Sequence, residues 1–304
     1  MGKKRLILLA VLLIAMVGGV GWRLLKAPQV PDPIYKGQPL SYWLDGFYAD
    51  SFDAKKYPGL SVPTRQEAGD AVIHLGTNAI PMLLRMLGKP IPSLADRFLR
   101  LAKKQSLIKI KHIPADSNWK AYEAFSYLAA TARIAVPQLI QMDDTDASPF
   151  IQQAVPAILS RIGTPAEPAI PALLRWINHT NEWVRNNVVY ALGQIHSEPT
   201  LVVPLLIKCL NDTNAAVRGQ AASALGEFHG YARPAVPALI ALRDQEPSNS
   251  IAVSGLARGI STHVRTSSSW IRLSDSNVHP DVLGRVTAAL RKIDPAAASN
   301  LGKK

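Results

Sequence analysis

An apolar-Pro pair returns at a fixed interval and constrains the fold more than any other feature of the chain. It stands at Ile80-Pro81, Val136-Pro137, Ile170-Pro171, Val203-Pro204 and Val236-Pro237. The last three intervals between these prolines are 34, 33 and 33 residues. A second motif keeps the same phase. Phe125, Leu159, Leu192 and Leu225 precede Pro137, Pro171, Pro204 and Pro237 by 12 residues each, and Leu128, Ile162, Ile195 and Phe228 follow three residues after them. Val184-Arg185 returns as Val217-Arg218. The two motifs fall on different helices. Val184, Val188, Ala191, Leu192 and Ile195 share one helical face, and Val217, Ala221, Ala224, Leu225 and Phe228 repeat it. Small Ala positions allow close helix approach. Each Pro is expected to open a second, short helix such as PALLRWI or PLLIKCL, where its missing N–H costs nothing. Asp212 and Thr213 turn the chain into the next unit. A hairpin of this size cannot bury its own apolar faces, so the units must stack.

This pattern resembles the HEAT-repeat family. The segments that carry the resemblance are NEWVRNNVVYALGQI (181–195), NDTNAAVRGQAASALGEF (211–228) and AVPALI (235–240). It is strong over 117–243 and weaker at Ala79–Leu87 and at DVLGRVTAALRKIDP (281–295). The resemblance implies an all-α solenoid of about five to six HEAT-like hairpins. In it the Val-Arg helices line the inner surface and the Pro helices lie outside. The array is expected over 65–298, with a basic insertion at 88–116 and one irregular unit at 244–280. Gln152, Ile251 and Leu283 stand near where Arg would recur, which confines the inter-repeat Arg ladder to Arg185 and Arg218. Pro156 should kink its helix, and the polar THVRTSSSW (262–270) is expected to be a loop.

Upstream, YKGQPLSYWLDGFY (35–48) before such an array looks like the head of membrane-anchored bacterial HEAT-repeat proteins with no assigned activity. Its cluster of Tyr42, Trp43, Leu44, Phe47 and Tyr48 reads as a cap for the first repeat within a spacer-and-cap segment at 27–64. A docking peptide is the alternative. Residues 1–26 read as a signal-anchor. Lys3, Lys4 and Arg5 precede an uncharged run of 17 residues from Leu6 to Trp22, about 25 Å as a helix and the short end of a bilayer span. Arg23 and Lys26 follow the run where a cleaved terminus would begin, and no A-x-A site is evident. One transmembrane helix therefore precedes the solenoid. The charge bias favours a cytoplasmic N-terminus and a repeat domain outside the cytoplasm, periplasmic or extracellular. Secretion after cleavage is the alternative.

The formal charge of +12 is concentrated. Residues 1–26 hold five basic residues and no acid; residues 85–112 hold eight against Asp96 alone. The rest is electroneutral, so the charge by itself argues little for nucleic acid. In the insertion, SLADRFLRLAKKQ (93–105) reads as an amphipathic helix, and Arg97, Arg100, Lys103, Lys104, Lys109 and Lys111 form a candidate patch for an anionic surface.

No G-x-S-x-G, phosphate-binding loop, dinucleotide fingerprint or helical His pair is present. The lone Cys209 reads as a structural thiol. Asp143, Asp144 and Asp146 match turn chemistry rather than calcium ligation. No metal, cofactor or catalytic residue is expected. The remaining candidate is the inner surface, where the repeat alignment points Asn186, Asn187, Tyr190, Gln194, Gln220, Ser223 and Glu227 away from the core. Amides with an aromatic suit a protein or peptide partner. The expected function is thus a non-catalytic, membrane-tethered protein-binding scaffold. A nucleic-acid binder akin to HEAT-like DNA glycosylases, and last a bilin-attaching HEAT-like lyase, are the alternatives.

Overall fold

The computed structural model describes residues 30–51, 63–88, 117–142, 148–245, 263–265, 270–272 and 281–300. By its contacts the chain divides after Asp32, and the helical array belongs to the unit from Pro33 onward. The expected span at 6–22, the basic residues 97–111 and the acidic cluster 143–146 lie outside the described residues. Among the described residues no helix is long and apolar enough to cross a membrane.

The repeat pattern becomes a row of helix pairs. The first helices are α2 (Arg65–Leu75), α4 (Ser117–Leu128), α6 (Pro149–Ile162), α8 (Glu182–Ile195), α10 (Ala215–Glu227) and α12 (Val282–Ile293). The second helices are α3 (Ile80–Leu87), α5 (Val136–Gln141), α7 (Ile170–Trp176), α9 (Pro199–Cys209), α11 (Val236–Gln245) and α13 (Pro295–Asn300). Each first helix packs on the next, α2 on α4 through to α10 on α12. Repeat-equivalent side chains cap three of them: Ser148 accepts from Ile151 N at 3.4 Å, Asn181 from Trp183 N at 2.9 Å and Asn214 from Ala216 N at 2.8 Å. The helices α2, α4, α6, α8 and α10 are each followed by a residue of positive φ: Gly76, Ala129, Gly163, His196 and His229. Glycine takes that conformation freely; Ala and His do so only because the packed hairpin requires the turn.

The core is the apolar periodicity made continuous. Phe125, Leu159, Leu192 and Leu225 are at most 1% exposed. Ala132, Ala166 and Ala232, with Ala135, Ala169 and Ala235, are fully buried in the 3-10 segments that join the pairs. Only small residues let those turns lie against the next pair.

Several expectations need correction. The all-α description omits two antiparallel ribbons. The first pairs β1 (Ile34–Tyr35) with β2 (Gln38–Pro39) around Lys36-Gly37. The second pairs β3 (His263–Arg265) with β4 (Trp270–Arg272) in the register His263↔Arg272, Val264↔Ile271, Arg265↔Trp270. The segment 262–270 is therefore not wholly loop. Its polar middle hid the β-favouring Val264, Trp270 and Ile271. Pro204 does not open its helix either: α9 begins at Pro199, which leaves Pro204 inside. The other prolines stand second in their helices, as in α7, which starts at Ile170. Pro156 lies within α6, assigned as one helix from Pro149 to Ile162. The irregular unit expected at 244–280 lies mostly outside the described residues, and α12 packs directly against α10. An added Cβ on Gly226 would stand 3.2 Å from the Ala289 Cα, and one on Gly219 would stand 3.5 Å from Val282. Small residues on α10 thus receive a helix that is distant in sequence.

At the other end, α1 (Leu40–Trp43) and the 3-10 turn Leu44–Ser51 fold over the first pairs, with Leu40, Leu44 and Phe47 buried. Trp43 Nε1 donates to Tyr35 O at 3.0 Å. Phe47 stacks on Tyr127 of α4 at 5.4 Å between centroids, and Asp45 pairs with Lys120.

Candidate functional site

A groove of about 510 Å3 runs along the face of the first helices, from α4 to α12. Helical periodicity builds its walls. On α8, Trp183, Asn187, Tyr190 and Gln194 recur at i, i+4, i+7 and i+11, and Asn186 lies beside them. Its floor is small: Ala154, Ala157, Gly193 and Ala224. A Cβ added at Gly193 would stand 2.8 Å from the Ala224 Cβ and 2.9 Å from its Cα, so the floor is narrow because α8 and α10 nearly touch.

All seven residues singled out on the inner surface line this groove. Three of them are committed to the scaffold. Asn187 Nδ2 donates to Gln153 O at 3.0 Å, tying α8 to α6. Gln220 is buried, not solvent-facing, and its Oε1 accepts from Arg285 Nη1 at 2.7 Å. Glu227 pairs with Lys292 at 2.9 Å. Among the described residues, the side chains of Asn186, Tyr190, Gln194 and Ser223 have no hydrogen-bond partner and face the groove.

Sequence reasoning missed the rest of the wall. Trp119 and Tyr122 of α4 pack ring against ring at 5.3 Å, Phe150 and Arg161 come from α6, and Trp183 from α8. Burial pushes the Tyr122 hydroxyl above its ordinary range, while Arg161, which donates to it, pulls the other way. A signal for Arg161 existed. It stands 33 residues before Gln194 and 66 before Glu227, in the same repeat column. Extending the column one unit upstream would have found it. Burial also lowers the Arg285 pKa, offset in part by Asp281.

The opposite end of the turn is structural. Arg185 donates twice to Asp212, Nε to Oδ2 and Nη2 to Oδ1, both at 2.8 Å, and through Nη1 to His179 O at 2.8 Å and Thr180 O at 3.2 Å. In the next unit Arg218 repeats the backbone contacts, donating to Asp212 O at 3.0 Å and Thr213 O at 3.3 Å. Burial would raise the Asp212 carboxyl, but Arg185, the Asn214 N–H and Arg218 outweigh it and hold the pKa below the usual carboxylate range. Beside this pair, burial pushes the Cys209 thiol up to about 11, which leaves it protonated and unreactive at neutral pH. Among the described residues no group of three metal-ligating side chains converges.

The family model for HEAT repeats matches residues 170–257. No curated protein matches the chain. The crystal structure of an engineered protein aligns with 16% identity and a TM-score of 0.36, covering 76% of this chain and 91% of that one. The segment matched by the family model contains α7 to α11, and the same pairing of a first helix with a Pro-bearing second helix runs through the described pairs from α2 to α11. Over residues 170–257 the chain is similar to HEAT repeats.

Proposed function

We propose that this protein is a membrane-tethered HEAT scaffold that holds a segment of a protein partner in the groove across α4 to α12. The observation that carries the proposal is the set of uncommitted polar side chains, Asn186, Tyr190, Gln194 and Ser223, set among aromatic rings over a floor of Ala and Gly. Satisfied helices do not need amides there, and such groups can pair with a backbone laid along the groove. The groove's Ser223 and Glu227 share a wall, but Glu227 is held by Lys292, and the one thiol of the chain lies elsewhere, buried and protonated. The role is therefore one of binding rather than catalysis. HEAT arrays commonly serve protein interaction, which supports the class of partner but not its identity.

The tether rests on the sequence. Lys3, Lys4 and Arg5 precede the apolar run from Leu6 to Trp22, which suits an N-terminus held inside and a body outside the cytoplasm. Alkaline carbonate extraction should leave the full chain in the membrane fraction. A C-terminal alkaline phosphatase fusion should be active, and a C-terminal fluorescent-protein fusion that lights the cytosol would overturn the orientation. For the groove, a photo-crosslinker at position 190 or 194 in intact cells should give discrete protein adducts, and one at Lys208 on α9 should not. Equal labelling from the two faces would refute the assignment.

A further inference from the structure

The groove adjoins a smaller cavity of about 310 Å3, and the two share Trp119, Tyr122 and Arg161. The smaller one continues to Arg65, Glu123 and Tyr127 on the far side. Arg161 thus stands partway along an open path, not at a closed end. Among the described residues Arg161 makes no ion pair, although Glu123 lines the smaller cavity with it and Glu227 lines the groove. Glu123 is held by Arg65, and Glu227 by Lys292. Among the described residues the partner of Arg161 is the Tyr122 hydroxyl, not a carboxylate. Its neighbours in the repeat column are Tyr127 and Gln194, neither of them acidic. On the next helix, Trp183 and Tyr190 remain 38% and 41% exposed, large apolar surface facing the same groove.

An exposed guanidinium placed beside rings and outside any ion pair of the described residues can clamp a planar anion with two N–H groups. A single guanidinium charge matches a carboxylate; a dianionic phosphate would call for more cations. The open path matches a side chain of a chain running through, since a terminal carboxylate would need the path to end. Neighbouring helices lie about 8–10 Å apart, and an extended chain advances about 3.3 Å per residue. Building on the groove reading above, we infer that the occupant is an extended peptide of a protein partner that sets an Asp or Glu against Arg161 and, about two to four residues away, an aromatic or large aliphatic side chain against Trp183 and Tyr190.

A random peptide library panned against the full-length chain in detergent micelles tests this. The selected peptides should carry Asp or Glu at that offset from an aromatic or large aliphatic residue. Arg161→Gln should weaken an enriched peptide by about tenfold or more, the loss of one charge-assisted pair. Arg161→Glu should turn the selection toward Lys and Arg. Arg161 is exposed, so circular dichroism and the melting temperature of both variants should match the parent. Enriched peptides without an acid preference, or unaffected by Arg161→Gln, overturn the carboxylate assignment. If those same peptides are still lost on Tyr190→Ala and Gln194→Ala, the groove reading survives that failure. If no selected peptide is sensitive to any groove substitution, both fall.

Discussion

Between α8, α10 and α12 the helices meet backbone to backbone; between the N-terminal segment, α2 and α4 they meet through rings. Gly193 and Gly226 face Ala224 and Ala289 so closely that a methyl group on either glycine would press on the neighbour's Cβ or Cα. Gly69 is different: the space it leaves holds the Tyr127 ring, 2.4 Å from where a Cβ would stand, and that ring stacks on Phe47. One end of the array is thus a tight seam that defines a narrow groove floor. The other is closed by aromatic inserts, as an end with no further repeat to lean on must be. Each region also has a cross-repeat ion pair, Arg185–Asp212 at the seam and Arg65–Glu123 at the cap end.

The largest effect expected is that of Asp212→Ala. It removes two charge-assisted hydrogen bonds from a part-buried guanidinium, which keeps its contacts to His179 O and Thr180 O, and should cost about 3 kcal/mol, measured by denaturant unfolding. The sign with pH follows from the lowered carboxyl. The folded pKa lies below the unfolded one, so the stabilisation is present above the unfolded carboxylate pKa and is lost as pH falls through the folded value. The substitution should therefore flatten the acid limb of stability against pH. An unchanged acid limb would mean that the seam does not depend on this pair.

Phe47→Ala comes next, at about 3 kcal/mol for a buried ring. Its loss should appear first as faster amide exchange in α2 and α4, with α10 and α12 protected as before. Uniform loss across the array would erase the distinction between the two regions.

Gly193→Ala and Gly69→Ala form the direct test. Helix propensity favours Ala by about 1 kcal/mol at both sites. At Gly193 the obstacle is another helix's Cα, and overpacking of about 1–3 kcal/mol should leave a net loss. At Gly69 the obstacle is a side chain that can swing, so the net change should be nearer zero. Equal melting temperatures would show that backbone closeness does not set the seam.

The smallest effect concerns Cys209. Burial raises its pKa to about 11, so any contribution to stability is intact below the unfolded thiol value, about 8.5, and is lost as pH rises through the folded value. Cys209→Ala should remove that alkaline decline, and the native thiol should react with a disulfide reagent far more slowly at pH 8 than in denaturant. Rapid native labelling would contradict the burial.

How much of this was legible depended on range. Helix positions and the inward column of Asn186, Tyr190 and Gln194 follow from periods of a few residues or one repeat, and could be read directly. The β3–β4 ribbon was missed because a polar centre outweighed three β-favouring residues. Trp119, Phe150 and Arg161 were missed because their repeats carry less of the motif, although Arg161 shares the column of Gln194. The second ends of Asn187, Gln220 and Glu227 were beyond reading, since their partners Gln153, Arg285 and Lys292 lie 34, 65 and 65 residues away.

The amino-acid order alone determined that the chain would form helical hairpins of one size, which faces they would bury and that they could not stand singly. It did so because apolar spacing and proline position act within a few turns of chain. Tertiary packing decided which hairpins became neighbours across the two long interruptions. The glycines of α10 accept α12 because both present small surfaces that exclude water only against each other. The closeness of α8 and α10 sets the groove floor, and the packing of α6 on α4 brings Arg161 to the rings of α4.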